Sequence, residues 1–433
     1  MDSRTAPAEA PEQAAPDKGA DRGLRGNRDF LKLWSGESLA MLGSEVTVVA
    51  LPLVAVVLLA ATPSEMGILG AVLRLPALLY LVVGVWLDRV RRRPVMIGAD
   101  LGRFVLLLSI PLLFLTDQLA MGWLYVVAFG VAVMGIAFDV AYQAYLPSLV
   151  TREHLGEANG KLSISHSVAQ LGAPALAAAL IARFNAAVAL LVGSITCLIS
   201  AVNLATIRTP EPRPVPEGDG SRPRLLPMIT AGLRYVVRQP ILRPMVISTG
   251  IFVTFWSGIQ TLYILFLVQD LKLPSGVVAL IFAAGGAGAV VGATLSIPAL
   301  RRFGPGRTAI WCTVVCNPAF LLIPFTPRSF WPAVVLLTIV QFATGLTMPM
   351  SSVSMGSVRM ALTPDNMQGR VASAFRGLSL GLAPLGAFAA GAAAEVWGIR
   401  PVLVVFGLCL IVPIFVYLFS PIPGLRTLPE PAE

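Results

Sequence analysis

Apolar stretches long enough to cross a lipid bilayer recur along almost the whole of this 433-residue chain, and that recurrence limits its fold more than any other feature. A helix needs about 20 apolar residues to traverse the hydrocarbon core. Runs of that size fall at roughly 38–60, 66–87, 95–115, 121–141, 162–182, 186–206, 244–269, 276–299, 308–326, 330–350, 371–394 and 401–419. Strands of a membrane barrel would be about 10 residues long and would alternate apolar with polar, whereas these runs are continuous. The expected fold class is therefore an all-α membrane protein with twelve transmembrane helices, since in lipid a helix satisfies every backbone polar group within its own segment. A charged content of only 13% agrees with lipid as the solvent.

The net charge of +9 is not gathered on one face, as nucleic-acid binding would require; basic residues cluster at every second connection between runs. Only Arg183, Lys272, Arg328 and Arg400 fall on the opposite side, so both termini are expected in the cytoplasm and the chain in the inner membrane. Residues 1–29 have no apolar stretch and read as a disordered cytoplasmic tail without a cleavable signal. After the sixth run, the Pro-rich charged segment 208–224 marks a linker. Leu226, Ile229, Leu233, Val236 and Val237, set among Arg224, Arg234 and Arg238, read as a short helix in the headgroup region. The expected organisation is a six-helix bundle over 30–207, a linker with its interfacial helix over 208–240, a second bundle over 241–420, and a cytoplasmic tail over 421–433.

The two bundles read as a duplication. Gly160-Lys161-Leu162 opens span five and Gly369-Arg370-Val371 opens span eleven, 209 positions later; Pro174 and Pro384 lie 210 apart. Pseudo-symmetric halves are the expectation. Gly285, Gly286, Gly288 and Gly292 on span eight, with Gly381, Gly386 and Gly391 on span eleven, read as sites of close helix approach. Cys197, Cys312, Cys316 and Cys409 all lie in apolar runs and read as small core residues, with no metal set among them.

Between spans two and three, Gly84 to Pro94 reads GVWLDRVRRRP, with an aspartate interrupting a cationic run. Here the chain resembles the major facilitator superfamily, whose loop signature has this glycine, this aspartate four residues on and this basic cluster. Asn27-Arg28-Asp29-Phe30, Leu33-Trp34, Leu42-Gly43-Ser44 and Ala50-Leu51-Pro52 are similar to the entry of span one in the branch containing enterobactin exporters and macrolide efflux proteins. The resemblance implies a cytoplasmic gate: Gly84 lets helices cross, Asp88 meets the N-terminus of span eleven, and Arg92, within the run holding Arg89 and Arg93, pairs with Asp139 on span four. The second-half copy has Leu300 in place of the aspartate, so this latch is one-sided. Gly172-Ala173-Pro174 is partly similar to the proline element of span five in antiporters of that superfamily.

Ionisable groups at membrane depth normally face a cavity or a partner. Glu45, Arg74 and His166 are the candidates for ion coupling; Glu45 and Arg74 lie roughly 18 and 21 Å deep by helical rise and could meet. Asp100 and Arg103, three apart, read as local partners, and Arg376 lies on span eleven. Gln170, Trp256, Gln260, Tyr263 and Gln341 are candidate cavity-lining residues, with Phe342 and Met348 nearby.

An ATP-driven pump is excluded by the lack of a phosphate loop, since Gly156 to Leu162 has the wrong spacing, and two histidines with no converging motif argue against an enzyme. The expected function is secondary active transport by alternating access, without a cofactor: proton-coupled export of a drug-like, siderophore or other natural-product small molecule by a monomer. Uptake of a polar metabolite is the alternative among transporters, and a non-transporting membrane sensor or scaffold the alternative of another class.

Overall fold

The computed structural model describes residues 24–79, 83, 86–87, 90–151, 154–209, 225–364 and 367–427. Their regular structure is helical throughout. In the first half these are α1 (Arg28–Leu53), α2 (Pro63–Arg74), α3 (Arg92–Leu115), α4 (Met121–Leu149), α5 (Leu155–Arg183) and α6 (Ala186–Ala205). Next come α7 (Leu225–Arg238), α8 (Leu242–Leu265), α9 (Ser275–Phe303), α10 (Pro305–Leu322), α11 (Phe330–Leu362), α12 (Gln368–Leu380), α13 (Ala383–Trp397), α14 (Ile399–Cys409) and α15 (Val412–Leu418). Spans eleven and twelve are each broken, before Pro384 and Pro413, where proline sits in the first turn of the next helix. Ten helical segments are long and apolar enough to cross a membrane among the described residues; α2 and α5 are the sequence segments outside that set.

Several helices start earlier or end later than hydropathy places them. α1 begins at Arg28, where Asn27 caps it by accepting from the Phe30 N–H at 3.0 Å and donates to the Leu149 carbonyl at 2.8 Å. Asp29 accepts from the N–H groups of Arg208 and Thr209, which ties the start of α1 to the end of the sixth span. The Asn27 to Phe30 motif is thus a structural clasp.

The duplication is visible in the backbone. α1 and α8 each run into a five-residue π-helical turn, Val54–Leu58 and Phe266–Asp270, followed by a non-glycine residue at positive φ, Ala60 at 49° and Lys272 at 53°. Leu59 N–H to Val54 O and Ala61 N–H to Ala55 O are repeated as Leu271 to Phe266 and Leu273 to Leu267, all displaced by 212 residues. Between the halves, α2 packs on α13 and α5 packs on α9, contacts exchanged by the repeat.

Glycines expected to bring helices together do so both between the halves, at Gly391, and within the second half. A Cβ at Gly67 would lie 2.7 Å from the Gly391 Cα; Gly386 abuts the Thr254 carbonyl, and Gly288 and Gly292 abut carbonyls of α11. Backbones this close exclude any side chain, which fixes where the helices cross.

Among the described residues the apolar core has three parts, and their placement positions the site. The largest joins residues of both halves, Met66 and Leu69 with Leu262, Phe266, Ile281 and Ala390, toward the end of the bundle far from the chain termini. At the termini end there are two separate cores. One belongs wholly to the first half, around Phe30, Met96, Tyr145 and Leu204, and one to the second, around Met245, Val358, Val371 and Tyr417.

Candidate functional site

The far end is closed by direct contacts between halves. Thr62 and Glu65 form a capping box at the start of α2, and Glu395 of α13 accepts from the Ser64 N–H at 3.1 Å, placing a carboxylate where the helix dipole favours it. Gln269 donates to the Ala61 carbonyl at 3.1 Å. Beneath this closure, where the shared core ends, lies a cavity of about 380 Å³ walled by α1, α2, α3, α4 and α6 from one half and α8 and α9 from the other. Its surface is mainly apolar, from Leu69, Leu73, Leu107, Ile264 and Phe282, with Gln260 and Thr261 as neutral polar groups from the second half. Arg74 and Arg103 are its charged members, and no carboxylate lines it among the described residues.

The two arginines are held differently. Arg103 lies 3.4 Å from Asp100 and donates to the Ser44 hydroxyl. Asp100 is 0% exposed, and Glu37, also buried, faces both Asp100 and Arg103 from α1, with Asp139 and Tyr142 approaching from α4. Glu37 Oε2, Asp100 Oδ2 and Arg103 Nε are buried without hydrogen-bond partners among the described residues. Two acids thus share one guanidinium at membrane depth, a costly arrangement that sequence patterning of charges three apart shows only in part. Arg74, by contrast, donates to the Gly70 carbonyl of its own helix at 2.9 Å and has no carboxylate partner among the described residues.

Glu45 and Arg74 do not pair. Glu45 instead lies 3.9 Å from His166 on α5, with the two side chains 29% and 50% exposed. Depth by helical rise ignores azimuth: Glu45 faces the α1/α5 seam, where Ser165 also bonds Trp34 and Ser38, while Arg74 faces the cavity. α5 continues unbroken past Gly172 and Ala173; the side chain of Pro174 is outside what is described.

Of the gate motif, Gly84, Asp88 and Arg89 lie outside the described residues. Arg93 binds the carbonyls of Leu204 and Ala205 at 2.9 and 2.7 Å, so it caps the C-terminus of α6. Asp139 is on an exposed face of α4, which runs on to Leu149, so it is further from the helix end than the apolar run implied; both Arg92 and Asp139 make contacts.

Among the expected lining residues Gln260 reaches the central cavity. Tyr263 does not: it is buried in the shared core with its ring edge-on to Phe282. Trp256 packs against that core, stacked with Phe252, while Gln341 packs behind Gly285 and Gln170 is half-buried on α5. Met348, with Cys312 and Cys316, lines a second cavity of about 300 Å³ inside the second half, where Arg359 is the charged wall residue among those described. Sequence reasoning passed over Glu37, because the apolar run starting at 38 left it outside the span, and gave no cavity role to Ser44 and Thr47, which line the central cavity.

The sequence profile of the Major Facilitator Superfamily matches residues 33–384. The chain belongs to the Major Facilitator Superfamily. It is thereby a membrane transporter of that type and not an enzyme. A curated relative, the uncharacterized MFS-type transporter y4rN of Sinorhizobium fredii (strain NBRC 101917 / NGR234), is 26% identical over 264 residues, which are 60% of this chain and 61% of the relative. The chain therefore spans about three-fifths of the length of that relative. Among solved structures, a point mutant of the nucleoside transporter NupG matches with a TM-score of 0.75 at 15% identity, covering 90% of this chain and 99% of that one. A bacterial homologue of the iron transporter ferroportin in its inward-facing state matches with a TM-score of 0.69 at 16% identity, over 90% and 98%. These likenesses establish the superfamily fold.

Proposed function

We propose that this chain is a secondary active exporter of a mostly apolar small molecule, working by alternating access in the inner membrane with both termini in the cytoplasm. The observation that carries the reading is the cavity between halves, lying under a core that both halves share at the far end and above two cores that they do not share. Such a division lets the halves rock about the cavity, breaking one set of contacts while the other forms. The bias of basic residues toward the termini end supports a cytoplasmic placement of that end, so the cavity would face inward here. Export, and kinship with enterobactin and macrolide exporters, rest on the span-one motif.

In this reading Glu45 and His166 exchange the coupling proton, being a partly exposed acid and imidazole 3.9 Å apart across two helices. Asp88 with Gly84, Arg89, Arg92, Arg93 and Asp139 forms the latch of the cytoplasmic gate, and one chain suffices for transport. The test uses vesicles and cells with dyes, macrolides and siderophores under an imposed pH gradient. Gradient-driven extrusion that is lost in Glu45→Gln while counterflow exchange persists in part is the expected result; accumulation inside expressing cells would refute export.

A further inference from the structure

The central cavity has an unmatched positive charge. Its wall holds two guanidiniums and, among the described residues, no carboxylate. The charge of Arg103 is met by Asp100 at 3.4 Å, with buried Glu37 facing it as well. Arg74 has only a backbone carbonyl of its own helix among the described residues. A guanidinium stays charged at any pH a cell meets, so Arg74 cannot shed its charge as a lysine could. An arginine at membrane depth with no acid beside it is costly unless water or an anion solvates it. Such residues therefore mark ligand positions. Around it the wall is Leu69, Leu73, Leu107, Ile264 and Phe282, which would reject a small, fully hydrated anion and accept an apolar body.

We propose that the cavity binds an amphipathic organic anion, its acidic group paired with Arg74 and its apolar body lying along the leucines toward Phe282. The proposal rests on reading this cavity as the substrate path. A carboxylate suits the planar fork of Arg74 best, because two parallel N–H donors match its two oxygens. Gln260, entering from the second half, gives a neutral polar contact so that one ligand touches both halves, as a molecule that must couple their movement has to do. A volume of about 380 Å³ accommodates a bicyclic aromatic acid with room for water at the arginine.

Three size-matched probes test this: 2-naphthoate, 2-naphthamide and 2-naphthylmethylammonium, each equilibrated with the full-length protein in nanodiscs of neutral phospholipid, empty discs being subtracted. The anion is expected to bind at least about tenfold more tightly than either of the others, the worth of one charge-assisted contact. Arg74→Gln, checked for an unchanged melting temperature, is expected to bring the three within about threefold of one another, and Arg74→Lys to restore part of the preference. The proposal is overturned by equal or tighter binding of the amide or the ammonium to the unmodified protein. It is also overturned by a preference that survives Arg74→Gln, or by no retention of naphthoate at millimolar concentration. Flux of the same probes in proteoliposomes separates the two readings. Arg74-dependent binding without flux leaves the anion site and removes its role in transport; flux of the ammonium that ignores Arg74→Gln leaves transport and removes the anion site.

Discussion

Replacing Gly67 by alanine should open the far end of the bundle. The added Cβ would sit 2.7 Å from the Gly391 Cα and 3.2 Å from the Ala387 carbonyl oxygen, both backbone atoms that cannot rotate aside. Carbon atoms rest about 3.5–4.0 Å apart, so α2 and α13 must separate by about 1 Å. Overpacking of this kind costs about 1–3 kcal/mol, and it is felt only in the state where the two helices touch. The population closed at the far end should fall about 5- to 150-fold relative to the population open there. The assay places a cysteine at Gln260, in the cavity wall, in a background lacking Cys197, Cys312, Cys316 and Cys409. A membrane-impermeant maleimide is then presented from the far side. Labelling should be slow in the parent and faster in Gly67→Ala, and substrate turnover should fall as the cycle stalls in one state. Gly98→Ala is the control, since nothing lies within 4 Å of a Cβ built there. Labelling of Gly67→Ala that matches the parent and the control would refute the idea that this crossing closes the cavity.

Two further substitutions probe the charges. Arg103→Met leaves Asp100 and Glu37 buried with no cation at hand, and a loss of about 3–5 kcal/mol is expected as a lower melting temperature; adding Asp100→Leu should recover most of it, and a single variant as stable as the parent would refute the pairing. Asp270→Asn removes the negative charge and one of the two oxygens that accept from Arg400 at 2.7 Å and Arg328 at 3.2 Å, and about 1–2 kcal/mol should be lost, whereas Arg328→Gln, whose side chain is 74% exposed, should change the melting temperature little; equal effects of the two would show that the outer arginine matters as much as the inner.

Hydropathy was enough to identify helices and lipid as solvent, because both follow from transfer free energy summed over many residues. Boundaries were not legible in the same way. α1 starts ten residues before its apolar run, held there by Asn27 and Asp29, and that shift alone turns Glu37 from an interfacial residue into a buried one. Pairing was legible only within a helix. Asp100 and Arg103 meet because residues three apart share a face, whereas Glu45 chose His166 over Arg74 through the rotation of α1, which no depth estimate contains. Tyr263 shows the same limit: an aromatic on a cavity helix can point inward or sideways, and it points into the core beside Phe282.

The repeat and the charges then tell different stories about the two halves. Backbone geometry recurs at an offset of 212 residues, down to the π-helical turns and the positive φ that follows each. At that same offset Glu37, Glu45, Arg74, Asp100 and Arg103 correspond to Thr249, Ser257, Gly286, Cys312 and Val315. Each of these five ionisable groups near the central cavity has an uncharged counterpart. The counterparts pack: Ser257 donates to the Ala383 carbonyl, Thr249 bonds its own helix, and Cys312 lines the second cavity. A bundle with buried charge changes its internal energy when a proton or an anion enters, whereas one closed by hydroxyls on carbonyls does not. Alternating access needs a differential response of that kind, since a ligand shifts an equilibrium only by its unequal affinity for the two states. In the proposed transport cycle, the first half therefore carries the charges on which ligand and proton act, and the second half supplies neutral contacts, Gln260 and Thr261, to the shared cavity.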